Sequence, residues 1–216
     1  MSLVPEITKF RHAVEQIKNR RDQVLIKTVY LLAARVSEVI TKTSPWDLTH
    51  NKTKAYGQFM VHQMADFNGQ EVYLTKQAVL KRKVKKKKAV ENKIYKIIAL
   101  PVASKFEPWT IELMEWSAEQ GSLSFDLGRR AVLKIVKKNL GKLDKAIHTH
   151  SLRHYRITHL VTMYNFDAFD LIAYTGWTFK TGLGMTGMGG ASGQLDTYLH
   201  LAWRRYYPKL LKHING

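Results

Sequence analysis

The stretch His148-Thr149-His150-Ser151-Leu152-Arg153-His154-Tyr155 concentrates the side chains best suited to chemistry. On a helix, His150 and Arg153 lie side by side on one face and can grip one anionic group, the guanidinium forking onto oxygens and the imidazole moving a proton. A His-x-x-Arg pair alone is more often a surface or capping arrangement. Arg35 and Glu38 repeat the spacing, and on a helix they would form an i,i+3 ion pair worth about 0.2–0.5 kcal/mol.

These groups need a scaffold, and its elements are legible in order. Ile7 to Lys18 has helical apolar spacing. Asp22, a good N-cap type, opens an amphipathic run in which Val24, Leu25, Val29, Leu32, Ala33, Val36 and Ile40 recur, with Arg35 at the edge of the stripe. Gln58-Phe59-Met60-Val61 and Glu71-Val72-Tyr73-Leu74 flank Asn68-Gly69, a hairpin signal, and Asn92 to Leu100 reads as a third strand ending at Pro101. Pro108 precedes a helix over Trp109 to Glu119 closed by Gly121. Ser124 is expected to cap Phe125 to Leu140, Thr149 the helix of His150 and Arg153, and Asp167 the helix Ala168 to Tyr174, stopped by Gly176. The predicted class is α+β, mainly α-helical, with a small three-stranded antiparallel sheet in a hairpin region of about 56–101. At 216 residues the chain suits one well-cored domain spanning 1–216.

Composition narrows the partner. Lys and Arg number 35 against 17 acidic residues, so the net charge of +18 calls for a polyanion, nucleic acid first. Lys81-Arg82-Lys83-Val84-Lys85-Lys86-Lys87-Lys88 reads as a phosphate-attracting loop, and Arg129, Arg130, Lys134, Lys137 and Lys138 place cations on one helix. With no Cys, disulfides and a thiolate nucleophile are excluded. The longest apolar runs, Val29 to Ala34 and Ile97 to Ala103, are far below the roughly 18 residues of a spanning helix. Met1 to Arg21 carries no secretory signal, so no membrane and a cytoplasmic setting are expected. No cofactor and no metal are implied: the acids after Asp126 are scattered as Asp144, Asp167, Asp170 and Asp196, and His148, His150 and His154 sit among cations.

Residues 182–193 hold six Gly, and Gly182, Gly184 and Gly187 match G-x-G-x-x-G. No strand precedes them and no acid follows at the ribose-contact distance, so a flexible tether is the better reading, leading into a segment and tail over 194–216.

Taken together, Leu32-Ala33-Ala34-Arg35-Val36-Ser37-Glu38, Pro45-Trp46-Asp47-Leu48, His150-Ser151-Leu152-Arg153-His154, Thr175-Gly176-Trp177 and Asp196-Thr197-Tyr198-Leu199 stand in an order that resembles the catalytic domain of the tyrosine recombinase (phage integrase) family. The resemblance spans about Arg35 to Tyr207. It implies Arg35, His150, Arg153 and Trp177 as catalytic groups, Tyr198 as nucleophile and a hairpin lysine. For the lysine, Lys86, Lys88 and Lys93 fit family hairpins, and Lys81 or Lys83 fit a longer loop. The expected DNA contacts are Lys81, Arg82, Lys83, Lys85, Lys87 and Lys88 with Arg129 and Arg130. The interval from Trp177 to Tyr198 exceeds the family's usual one by about the glycine-rich segment, and Tyr206 and Tyr207 stand close by as other candidates.

The implied activity is site-specific DNA recombination. A phenol with an ordinary pKa of about 10 needs nearby positive charge to attack a phosphodiester. Arg35 and Arg153 would supply it and stabilise the phosphorane, His150 would exchange the phenolic proton, the lysine would protonate the leaving 5′ oxygen, and Trp177 would donate its indole N–H. The 3′-phosphotyrosyl link keeps the bond energy, so a second DNA end can be joined without ATP. Double-stranded DNA and self-association into a dimer or tetramer synapse are the expected partners. Family members usually carry a separate helical DNA-binding domain upstream. Its expected absence before Arg35 favours a catalytic fragment of a longer integrase over a compact relative. The mixture resembles archaeal virus or plasmid integrases, working at the nucleoid of a prokaryotic host. Alternatives are type IB topoisomerase-like relaxation and a non-catalytic basic DNA-binding protein.

Overall fold

The computed structural model describes residues 4–51, 54–55, 57, 59–79, 94–176 and 202–212. Lys81, Arg82, Lys83, Lys85, Lys86, Lys87, Lys88, Lys93, Trp177 and Tyr198 lie outside the described residues, as does the glycine-rich stretch 182–193.

Helix α1 (Ile7–Glu15) packs on α2 (Arg20–Leu31), whose first turn is capped by Asn19 accepting from the Asp22 N–H at 3.0 Å. Asp22 is therefore inside the helix and not its cap. The long run expected through Ile40 is broken: Ala33 takes a φ of 42°, the left-handed region, and helix resumes as one turn, α3 (Val36–Val39), with Arg35 at its N-cap. After α3 the chain is extended. Ile40 bridges Phe125, and Thr41 and Lys42 donate to the carbonyls of Phe125 and Leu127. That pairing consumes the residues expected to begin the next helix, so α5 (Arg129–Leu140) starts beyond Gly128 and Ser124 is not its cap. A π-helical turn, Asp47–Asn51, follows Trp46.

The three-stranded antiparallel sheet is present as expected: β1 (Phe59–Phe67), β2 (Gln70–Val79) and β3 (Ile94–Pro101) pair antiparallel in the order β1-β2-β3. The β1–β2 turn is Asn68-Gly69, with φ of 55° and 80°, both positive as a type I′ turn demands. Helix α4 (Thr110–Gln120) packs on α2 and ends at Gly121. Helix α6 (Ser151–Tyr164) also packs on α2. Helix α7 (Ala168–Thr175) is capped by Asp167, which accepts from Asp170 N–H, and stops at Gly176 with φ 70°. Helix α8 (Trp203–Leu210) lies across β3 and α7, with Pro208 inside it.

The C-terminal end of α2 is the point where these elements meet. The carbonyls at and just past its last residue, those of Leu31, Leu32 and Ala33, take donors from the side chains of three elements. Tyr174 of α7 donates to Leu31 O, Lys96 of β3 to Leu32 O at 2.6 Å, and Arg153 of α6 to Ala33 O. One turn further along α6, Arg156 pairs with the fully buried Glu107 at 2.8 Å and donates to the Tyr174 hydroxyl at 2.8 Å. Around this polar knot Phe10, Tyr30, Trp109 and Tyr155 make an aromatic core.

Candidate active site

Arg35 is placed by the break after α2. As N-cap of α3 it donates its backbone N–H to Glu38 Oε2 at 2.8 Å, while its guanidinium meets Glu38 Oε1 at 3.1 Å. The expected i,i+3 pair is thus present, and the carboxylate also reaches back to the cap N–H. Glu38 is 1% exposed, whereas the Arg35 side chain is 39% exposed, so one end of the pair is fixed in the core and the other faces solvent.

Arg153 is 2% exposed and turns its guanidinium onto Ala33 O, two residues before Arg35. Desolvation pushes its pKa down to about 10, Glu38 opposing and Arg35 adding to the fall, so it remains a cation at neutral pH.

His150 is the N-cap residue of α6 itself, in place of the expected Thr149. Asp144 fixes the preceding turn by accepting from Tyr155 Oη at 2.6 Å and Ala146 N–H at 2.8 Å, and Ser151 Oγ accepts from His148 N–H at 3.1 Å. The His150 ring meets His154 edge-on at 4.6 Å. Its pKa is pushed down to about 4, first by desolvation, then by His154, Arg153, His148 and Arg35. It is therefore neutral at pH 7 and able to accept a proton. Because His150 and Arg153 are cap and third residue of a 14-residue helix, the positive end of the helix dipole adds to the local field.

Three expected residues, Arg35, His150 and Arg153, are thus within electrostatic reach of one another. Lys96, absent from the expectation, joins them. It lies 3% exposed on β3, and burial depresses its pKa to about 7, with Glu38 opposing and Arg153 and Arg35 reinforcing. Alternation along β3 carried the signal: Lys96 shares a face with Ile98 and Leu100, both fully buried, and a cation in an inward series is uncommon without a task.

Tyr206 and Tyr207, the other nucleophile candidates, are built into the core. Tyr206 accepts from Ala99 N–H at 3.0 Å, Tyr207 donates to Glu71 O at 3.3 Å, and burial raises both pKa values, that of Tyr207 to about 12. Arg129 and Arg130 hold the turn before β1: Arg129 stands 3.7 Å from Asp47, and Arg130 lies over the Trp46 ring, which stacks on His50. Lys134, Lys137 and Lys138 are exposed on α5.

Among the described residues no group of three or more His, Cys, Asp or Glu could hold a metal ion, and no helix is long and apolar enough to cross a membrane. Two surface depressions, one lined by Thr8, His12 and Lys142 and one by Gln63, Tyr73 and Met114, lie on other parts of the surface. The chain matches no family model, no curated protein and no solved structure among those compared.

Proposed function

We propose that this protein cleaves and rejoins DNA strands as a tyrosine recombinase, with Arg35 and Arg153 gripping the scissile phosphate and Tyr198 attacking it. The observation that carries the reading is the convergence of two arginines from distant parts of the chain with a neutral imidazole at a helix N-terminus. Two guanidiniums beside one anion can stabilise the charge that grows on the non-bridging oxygens as a phosphorane forms. A neutral His150 can accept the phenolic proton during attack and return it during rejoining. The buried, hydrogen-bonded hydroxyls of Tyr206 and Tyr207 favour Tyr198 over either of them as the nucleophile.

Arg153→Ala and Arg35→Ala separate this reading from a basic protein that merely binds. Under the recombinase reading each substitution lowers DNA strand cleavage by about 100-fold or more, the scale of a lost transition-state donor, while duplex affinity changes by only a few-fold. Equal small losses in both properties would favour the binding protein. Relaxation of supercoiled plasmid without joining of two sites would favour the topoisomerase-like alternative.

A further inference from the structure

Lys96 has no part in the chemistry described above, yet it occupies the most constrained place around it. The turn from Leu32 to Arg35 contains a non-glycine residue in the left-handed region, Ala33, a conformation that persists only when its surroundings hold it. Two of the groups that do so are cations on adjacent carbonyls, Lys96 on Leu32 O and Arg153 on Ala33 O. Facing the Lys96 ammonium are Glu38 from α3, Arg35 from the turn and Arg153 from α6. Gln77 is its cross-strand neighbour on β2, and Tyr174 of α7 and Tyr206 of α8 set their hydroxyls on Leu31 O and Ile97 O. The cations in this group outnumber the carboxylate by three to one, so an arriving anion relieves their repulsion.

We propose that Lys96 is a positioning residue that holds the Leu32–Arg35 turn in the geometry presenting Arg35 to a DNA phosphate, and that phosphate binding is coupled to proton uptake at its amine. The inference rests on the DNA-binding part of the recombinase reading. Its sign follows from linkage. Lys96 is protonated below about pH 7 in the free protein. A bound phosphate raises that value, so above it binding must bring a proton in, and affinity falls as pH rises. A neutral amine is also the weaker donor to Leu32 O, so the turn loosens in the same direction.

Wild type, Lys96→Arg and Lys96→Met are to be compared by duplex-DNA binding at about pH 6 and about pH 8.5, with adduct formation scored separately on the same preparations. Wild-type affinity should fall by a few-fold across that range beyond any change in Lys96→Arg, whose guanidinium stays charged. Lys96→Met should bind at both as weakly as wild type does at about pH 8.5. Referencing wild type to Lys96→Arg removes the pH effects common to both proteins. If Lys96→Met does not fold, the comparison with Lys96→Arg and calorimetric proton uptake by wild type in two buffers decide the matter. Identical pH profiles in wild type and Lys96→Arg, or binding without proton uptake, overturn the role of Lys96. Proton-linked binding without any adduct leaves that role standing and removes the recombinase. No duplex binding by wild type removes both.

Discussion

At the level of single residues the account depends on charge states. His150 is neutral at pH 7 because desolvation and four neighbours, His154, Arg153, His148 and Arg35, disfavour its proton. A base of this kind keeps DNA cleavage constant on the acid side until the pH approaches about 4 to 5, and cleavage then falls as His150 protonates. A pH–rate profile checks this, and an acid limb near the ordinary histidine value of about 6.5 would contradict it. The residue types at Arg35, His150 and Arg153 were readable from spacing because their neighbours in sequence form a recognisable order. Lys96 carried only the weaker signal of its inward alternation with Ile98 and Leu100, since its partners Leu32, Glu38 and Arg153 are remote in sequence and meet it only where β3 packs on the turn after α2. Arg35 itself was placed on the edge of a long helix, whereas it sits at a break, because periodicity cannot register the left-handed turn at Ala33.

Secondary-structure elements set how firmly those residues are held. Glu107 and Arg156, both fully buried, tie the segment before α4 to α6, and through Tyr174 to the end of α2. Removing one partner strands the other, so Glu107→Ala should cost about 3–5 kcal/mol in chemical denaturation. A loss below about 1 kcal/mol would show that the knot is not rigid. The Asn68-Gly69 turn is a smaller device. Gly69 at φ 80° accepts an Ala side chain with no contact within 4 Å, so the cost of Gly69→Ala is conformational alone, about 1 kcal/mol. Elements were legible where local signals dominate: Asn-Gly for the hairpin, Asp167 and Gly176 for α7. They were misjudged where pairing across the chain decides, as at Ser124 and Phe125, whose neighbours dock on Ile40 to Lys42 in place of starting a helix.

For the molecule as a whole, charge and acid sensitivity are the measurable consequences. With +18 to distribute, duplex binding should weaken steeply between low and physiological salt, and a flat salt response would exclude phosphate contacts as its source. Stability has its own pH dependence through His159, 3% exposed, which contacts Tyr30 Oη at 2.8 Å and donates to Pro5 O, and whose pKa burial lowers to about 4. The unfolded chain binds this proton near pH 6.5 and the folded chain does not, so stability is lost as pH falls from about 6.5 to about 4, by up to roughly 3 kcal/mol. His159→Gln should flatten that decline in denaturation curves taken at several pH values.

The central claim is a covalent step by Tyr198, and detection of a protein–DNA adduct on a denaturing gel tests it most directly. Wild type, Tyr198→Phe and Tyr207→Phe would be incubated with nicked or supercoiled DNA without metal or ATP. The account predicts an adduct with wild type and Tyr207→Phe and none with Tyr198→Phe. An adduct that persists in Tyr198→Phe, or DNA cleavage that proceeds with no adduct in any of the three, would contradict it.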